Sequence, residues 1–259
     1  MRLSIALLCL LFFITEGASA FFLYADEGMS GLTGRWGNKD DLTAFRDNPA
    51  LLTGEILVGG YYARKYGFKE LELIGAGCQG RWKKLHWGLF IRQFQKKPLQ
   101  EKEALFALSA PLGGDWRFGA ALKYLRGVKM GETDSALSWD MGFSWTNETF
   151  GIHAGILNGE HPEIGEEITH TLTGGGVIRR GPVQAYLKGV SIEGHYAYVV
   201  PALFYMFSPH CTIGYALNTG NSEHRCVLIV QQKKATLTFT YVIPPLLKRY
   251  VSVEVSILQ

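Results

Sequence analysis

The sequence predicts an all-β chain that forms an antiparallel transmembrane β-barrel of about fourteen strands, with twelve as the alternative, and a small N-terminal plug. Three observations predict this fold: an export signal, recurring segments that alternate apolar and polar side chains, and connections that alternate between short and long. The chain of 259 residues contains 31 glycines, 13% aromatic residues and a net charge of +3. This composition favours a strand-rich protein over a disordered or coiled-coil one.

The export signal occupies residues 1–20. It begins with Met1 and Arg2, continues through an apolar run over residues 3–14, and ends in the small residues that precede a cleavage site after Ala20. An uncleaved anchor helix is the alternative, but the run is shorter than the ~20 residues that span a bilayer. We therefore expect a signal peptide at residues 1–20, a hatch or plug at 21–54 and a barrel at 55–259.

Composition also excludes some classes of protein. No segment after residue 20 is long and apolar enough to predict a transmembrane helix. The weak net charge gives no reason to expect a nucleic-acid partner. After removal of the signal peptide three cysteines remain, an odd and irregularly spaced set that does not predict a disulfide framework.

Residues 136–145 give the clearest strand. Successive side chains of a strand point to opposite faces, so one face here is wholly apolar and the other is polar or small. The apolar face carries aromatic residues near both ends, as expected where a strand faces lipid, although this segment alone also suits a soluble sheet. The apolar face consists of Leu137, Trp139, Met141, Phe143 and Trp145, opposite Ser138, Asp140, Gly142 and Ser144.

Similar segments follow one another along residues 55–259. A transmembrane strand needs ~9–11 residues, and a spanning sheet must close on itself because lipid cannot pair its backbone groups. Fourteen segments of this kind fit the available length. They cover residues 56–66, 69–79, 86–94, 104–110, 116–125, 136–145, 150–157, 169–178, 183–192, 196–207, 212–217, 225–231, 236–243 and 250–258.

The connections between these segments differ at the two ends of the predicted barrel. Those after even-numbered segments are short, whereas residues 95–103, 127–135, 158–168 and 218–224 form longer and more polar connections. Outer-membrane barrels have short periplasmic turns and longer external loops. We therefore expect an outer-membrane location with both termini and the short turns in the periplasm. A secreted β-sandwich is the main alternative, and it gives no reason for loop length to alternate.

Motifs for catalysis are not apparent. The sequence lacks the nucleophile, zinc-protease, dithiol and phosphate-binding patterns that would predict an enzyme, a metal or a cofactor. His161, Glu163, Glu166, Glu167 and His170 could hold a cation, but a solvated polar loop is the favoured interpretation. We predict that the protein is not an enzyme and that it needs no cofactor.

The polar faces of the strands should line the lumen. A mixed and partly charged lumen suits either a narrow wet passage or a network of paired charges, and we favour the network. The candidate lumen-facing residues are Arg117, Lys123, Ser138, Asp140, His153, Gln184, Lys188, Thr238 and Glu254.

Asn48, Pro49 and Ala50 stand immediately before the first predicted strand. This motif resembles the Asn-Pro-Ala motif that follows the N-terminal hatch of FadL-like outer-membrane proteins, a superfamily that includes long-chain fatty-acid transporters and the PorV/PorQ secretion-associated barrels. Leu51 replaces the glycine that often follows.

The resemblance implies passive uptake of hydrophobic small molecules such as long-chain fatty acids, with the hatch gating the bore. Its alternative is a PorV-like structural or secretion-associated barrel that transports nothing. Either version implies outer-membrane lipid and the barrel-assembly machinery as partners, and the first also implies a hydrophobic small-molecule ligand.

Overall fold

The computed structural model describes residues 42–65, 71–96, 99–129, 132–160, 163–164, 166–193 and 197–258. The predicted signal peptide and residues 21–41 of the predicted hatch segment lie outside these ranges. None of the helices in the described part of the chain has the length and apolar character needed to cross a membrane.

Fourteen strands in the described residues close into one antiparallel barrel, as predicted, and two more form a small hairpin. The barrel strands are β1 (Leu57–Arg64), β2 (Glu72–Trp82), β3 (Leu85–Lys96), β4 (Leu99–Gly113), β5 (Trp116–Lys129), β6 (Glu132–Thr146), β7 (Phe150–Leu157), β10 (Thr171–Arg180), β11 (Val183–Ile192), β12 (Ala197–Ser208), β13 (Cys211–Asn218), β14 (Glu223–Gln232), β15 (Ala235–Ile243) and β16 (Tyr250–Leu258); the hairpin is β8 (Glu163–Ile164) with β9 (Glu166–Glu167).

The first and last strands close the wall. β1 pairs with β16 from Leu57 opposite Leu258 to Ala63 opposite Ser252. Every other barrel strand pairs with its neighbour in chain order, except that β7 pairs with β10 across the connection that carries the hairpin. Closure pairs the backbone N–H and C=O groups that an open sheet would leave unpaired at its edges. A sheet in lipid requires this pairing, because lipid cannot form hydrogen bonds with these groups.

The two faces of the wall follow the alternation in the sequence. In β6, Leu137, Met141 and Phe143 are exposed, whereas Ser138 and Asp140 are 1% and 0% exposed. Large apolar side chains are exposed on every barrel strand. This outward apolar band is the surface that a transmembrane barrel presents to lipid.

Two of the predicted long connections are mostly strand. β3 and β4 leave only residues 97–98 between them, and β5 and β6 leave only 130–131. The charged residues of 95–103 were interpreted as a loop, yet they continue the alternation: Glu101 and Glu103 are buried and Lys102 is exposed. The prediction of long loops at 95–103 and 127–135 was therefore wrong. In the first range, charges inside the barrel resemble loop residues, and in the second, β6 begins with four exposed polar residues at 132–135. The predicted long connection at 218–224 is also wrong, since only residues 219–222 separate β13 from β14.

β6 is nearly twice as long as β7, so the pairing between them stops part of the way along β6. It runs from Thr146 opposite Gly151 to Met141 opposite Ile156. Beyond that pair, a carboxylate oxygen of Asp140 accepts the backbone N–H of Asn158 at 2.9 Å. The Asp140 side chain thus pairs one N–H where β7 ends, and the next backbone bond runs from the N–H of Gly159 to the carbonyl of Trp139 at 2.9 Å.

The chain enters the barrel at residues 42–54, which we call the hatch. It contains a single helical turn, α1 (Ala44–Asp47), and a 3₁₀ turn at Pro49–Leu51. Asn48 lies between the two turns in extended conformation. The 3₁₀ turn contacts β4, β5 and β6, so the hatch lies against the inner face of the wall.

Candidate functional site

Asn48 joins the hatch to the wall. Its side-chain oxygen accepts the backbone N–H of Ala50 at 2.9 Å and so caps the 3₁₀ turn. Its amide nitrogen donates to the backbone oxygens of Phe143 at 3.2 Å and Ala154 at 2.9 Å. The fully buried amide therefore bridges β6 and β7. An amide supplies the acceptor and the two donors that this position needs, whereas a carboxylate lacks the donors.

The other two residues of the motif fix the shape of the turn. Pro49 opens the 3₁₀ turn, where its missing N–H costs no hydrogen bond. Ala50 is fully buried, and its carbonyl accepts the hydroxyl of Ser144 at 3.0 Å. The short side chain lets the turn lie flat on the wall.

Two wall glycines make room for this close approach. A Cβ at Gly119 in β5 would overlap the peptide that joins Pro49 to Ala50, and one at Gly142 in β6 would overlap the Asn48 amide. A glycine in a strand usually marks such an approach of another backbone.

We expect Gly119→Ala to destabilise the folded protein by about 1–3 kcal/mol, because the added methyl group meets backbone and forces the hatch to move. The measurement is the free energy of unfolding in urea. Gly189→Ala in β11 is the matched control, since the nearest atom to a Cβ there is the Gly174 carbonyl oxygen at 3.7 Å. Equal losses of stability in the two variants would contradict the contact.

α1 places two charged side chains in the bore. Arg46 donates from Nε to Glu103 at 3.0 Å, and Arg92 donates from Nη2 to the other oxygen of the same carboxylate at 3.0 Å. All three side chains are almost fully buried. Glu103 thus neutralises one cation from the hatch and one from the wall.

Asp47 makes the corresponding connection on the other side. Its carboxylate lies 3.2 Å from Nζ of Lys188 in β11 and 3.5 Å from Nη1 of Arg46. Its backbone oxygen accepts the hydroxyl of Thr173 in β10. The two charges of α1 therefore attach the hatch to β4 and β11, while the backbone oxygen of Asp47 attaches it to β10 and Glu103 connects it to Arg92 of β3.

A further buried pair lies beside the hatch. Lys123 in β5 contacts Asp140 in β6 at 2.7 Å and donates to the side-chain oxygen of Asn158 at 2.5 Å. Burying charges costs several kcal/mol per ion unless they are paired and hydrogen-bonded. The structure thus places four of the predicted lumen residues, Lys123, Asp140, His153 and Lys188, in or beside one network around the hatch; His153 lies 3.5 Å from Asn48.

The remaining predicted lumen residues lie elsewhere on the inner face. Arg117 contacts His86 and lines a cavity of about 410 Å³ at the short-turn end, together with Leu51 and Thr53. Gln184 accepts the hydroxyl of Tyr186 at 2.7 Å. Ser138, Thr238 and Glu254 are buried in β6, β15 and β16.

Arg46, Asp47, Arg92 and Glu103 were not among the predicted site residues. The alternation in β3 and β4 does indicate Arg92 and Glu103, since each lies an even number of residues from inward-facing positions of its own strand. Arg46 and Asp47 lie where no alternation exists, and only the motif that follows them indicates their position. Among the residues that the structure describes, no group of His, Cys, Asp or Glu could hold a metal ion. His161 of the proposed cation cluster lies outside them.

An apolar strip lies on the inner face beside the charged network. Phe90 stacks on Tyr61 with ring centroids 6.0 Å apart and meets the edge of Phe45 of the hatch at 6.3 Å. The strip reaches from the ends of β1, β2, β3 and β16 remote from the short turns down to the hatch. It consists of Tyr61, Ala63, Leu73, Phe90, Phe94, Leu105, Ala107, Ala121, Val242 and Tyr250, with Phe45 and Leu52 of the hatch.

Comparison with known proteins gives structural relatives but no sequence relatives. No family model and no curated protein matches the chain. The monoaromatic hydrocarbon channel CymD superposes with a TM-score of 0.61 at 8% identity, covering 86% of this chain and 94% of that one. The toluene transporter TbuX of Ralstonia pickettii gives 0.61 at 11%, covering 92% and 98%. A FadL homologue of Pseudomonas aeruginosa gives 0.57 at 8%, covering 87% and 96%.

At these identities the likeness concerns the fold. It covers most of both chains and includes the closed fourteen-strand wall. The resemblance first seen in Asn48, Pro49 and Ala50 is therefore confirmed for the architecture: this chain has the fold of the FadL-like outer-membrane barrels.

Proposed function

We propose that this protein is a passive route for hydrophobic small molecules across the outer membrane, in which the hatch closes the bore and no chemical step occurs. The observation that carries the proposal is the apolar strip that ends at Phe45 and Leu52 of the hatch. An apolar molecule gains ~25 cal/mol for each Å² of apolar surface that it removes from water.

The structural relatives support the same class of substrate. Their names describe a monoaromatic hydrocarbon channel, a toluene transporter and a FadL homologue. We propose long-chain fatty acids as the first ligands to test and small aromatic hydrocarbons as the second.

We also propose how the protein is placed in the membrane. The exposed apolar band would contact outer-membrane lipid, and the short turns and both termini would face the periplasm. Cleavage of residues 1–20 would follow export, and the barrel-assembly machinery would insert the chain.

The test is ligand binding to the detergent-solubilised protein, measured by displacement of a fluorescent fatty acid with oleate or with toluene. Ala107→Leu fills the strip and should weaken binding roughly tenfold, because a leucine competes with the ligand for the same apolar space. Ala216→Leu is the matched control, a fully buried alanine of a second apolar cluster on β10–β14.

If Ala107→Leu and Ala216→Leu bind the ligand with equal affinity, the strip is not the binding surface. Displacement by toluene but not by oleate would assign small aromatic substrates. If the wild-type protein binds neither compound and conducts no current in a bilayer, uptake is the wrong function.

A second candidate function is a PorV/PorQ-like structural barrel that holds a partner and transports nothing. The buried pairs of Arg46 with Glu103 and of Asp47 with Lys188 favour it, since they attach the hatch to opposite sides of the bore. This function would be supported if the wild-type protein binds no ligand, conducts no current in a bilayer, and copurifies with a secreted partner after crosslinking.

A further inference from the structure

Three of the short turns carry two consecutive basic residues. Lys83 and Lys84 connect β2 to β3, and Lys233 and Lys234 connect β14 to β15. Arg179 and Arg180 end β10, directly before the turn to β11. We call these six residues the dibasic arc. Around the barrel they lie on a run of ten of the fourteen strands, from β10 through β16 and β1 to β3, with successive pairs four strands apart.

Two of these lysines occupy an unfavourable backbone conformation. Lys83 and Lys233 have φ angles of 56° and 51° in turns of two residues. Glycine, asparagine and aspartate are the residues that such turns favour, because a side chain in the left-handed region crowds its own backbone. Glycine does occupy positive φ at neighbouring turns, at Gly114 and Gly181. The chain therefore keeps lysine at two turns where another residue would be more stable.

The lysine turns lie beside the apolar band. Trp82, next to Lys83, is 68% exposed, and Nζ of Lys83 lies 5.8 Å from the centroid of its ring. Exposed tryptophan is typical of the depth at which a membrane protein meets the lipid headgroups. The ammonium groups of this turn would therefore lie at the level of lipid phosphates.

The charges of the arc are not balanced within it. Among the described residues, no ion pair involves Lys83, Lys84, Lys233 or Lys234. The acidic residues of the other short turns, Asp115 and Glu148, belong to β4–β5 and β6–β7, outside the arc. Within it, Glu55 precedes β1 and lines the cavity beside Arg117, so the six basic residues outnumber it. The two cations of each pair are adjacent in sequence, and each Lys or Arg near an anionic leaflet is attracted to it by about 1 kcal/mol.

We propose that the pairs of the dibasic arc are separate binding sites for the anionic phosphate headgroups of phospholipids in the leaflet that faces the short turns. The lysines accept backbone strain at two turns because they supply charge at the headgroup level. The sites require that the barrel spans a membrane, but they do not depend on transport through the bore.

The experiment is native mass spectrometry of the full barrel released from bilayers that contain equal amounts of phosphatidylglycerol and phosphatidylcholine. The wild-type protein should retain phosphatidylglycerol about fivefold in excess, and the excess should fall as salt is added. The excess of phosphatidylglycerol should be abolished in the quadruple variant Lys83→Gln/Lys84→Gln/Lys233→Gln/Lys234→Gln. The matched control removes four exposed cations towards the other end of the barrel and should retain the excess of phosphatidylglycerol. It is the variant Lys102→Gln/Arg126→Gln/Lys248→Gln/Arg249→Gln.

A second variant separates binding from folding. Lys83→Gly/Lys233→Gly relieves the positive-φ strain, so its unfolding midpoint should equal or exceed that of the wild type while retention of phosphatidylglycerol falls. Equal retention by the wild type and the lysine variants would overturn the proposal, as would an equal loss in the control. Binding of soluble polyglutamate without preference for phosphatidylglycerol would also overturn it, in favour of an acidic macromolecule.

Discussion

Replacing Glu103 by glutamine should lower the free energy of unfolding by about 3–5 kcal/mol, because the neutral amide removes the negative charge that the buried side chains of Arg46 and Arg92 share. Arg46 and Arg92 both donate to this carboxylate, and neither side chain is more than 7% exposed. Glutamine has nearly the same shape, so the loss reports charge and not volume. Urea unfolding of the reconstituted barrel measures it.

The control is Glu72→Gln, which removes a surface ion pair. Glu72 lies 2.9 Å from Arg64, but the two side chains are 33% and 40% exposed. Exposed pairs contribute about 0–1 kcal/mol, since water screens both charges. A loss at Glu103 no larger than the loss at Glu72 would mean that water or other groups satisfy the two arginines.

Replacing Met141 by arginine should cost about 2–4 kcal/mol in a bilayer, the penalty for a cation on the lipid face near the midplane of a barrel. Met141 is exposed at the centre of the apolar face of β6. The measurement is again the free energy of unfolding, in liposomes whose hydrocarbon thickness matches that of an outer membrane.

Thr133→Arg tests depth on the same face. Thr133 has the parity of Met141 and is exposed, but it lies at the second position of β6, beyond the apolar side chains. A cation near the interface costs about 0–1 kcal/mol. Equal costs at the two positions would place residue 141 outside the hydrocarbon and contradict the orientation of the wall.

The number of strands and the faces of the wall follow from local sequence. Lipid imposes alternation on each strand separately, so residues 136–145 reveal their inward and outward sides without knowledge of their neighbours. Strand ends are harder to predict, because lumen charges such as Glu101 and Glu103 resemble loop residues until their burial is known.

The attachment of the hatch could not be predicted in the same way. Arg46 and Glu103 are 57 residues apart, and Asp47 and Lys188 are 141 apart. No periodicity connects positions so distant in sequence. Only the motif at Asn48, Pro49 and Ala50 indicated where the hatch lies, and it gave no information about which wall residues the hatch contacts.

Closure of the wall by the first and last strands constrains the order in which this chain can fold. β1 acquires its second neighbour only when residues 250–258 have been delivered, so the wall stays unclosed until β16 arrives. Over the same interval the hatch, near the beginning of the chain, has to meet partners in β10 and β11. Contacts of such long sequence separation make folding slow, because the entropy of closing a large loop is lost before the contact forms. We therefore expect the pairing of β1 with β16 to be a slow step in the folding of this barrel.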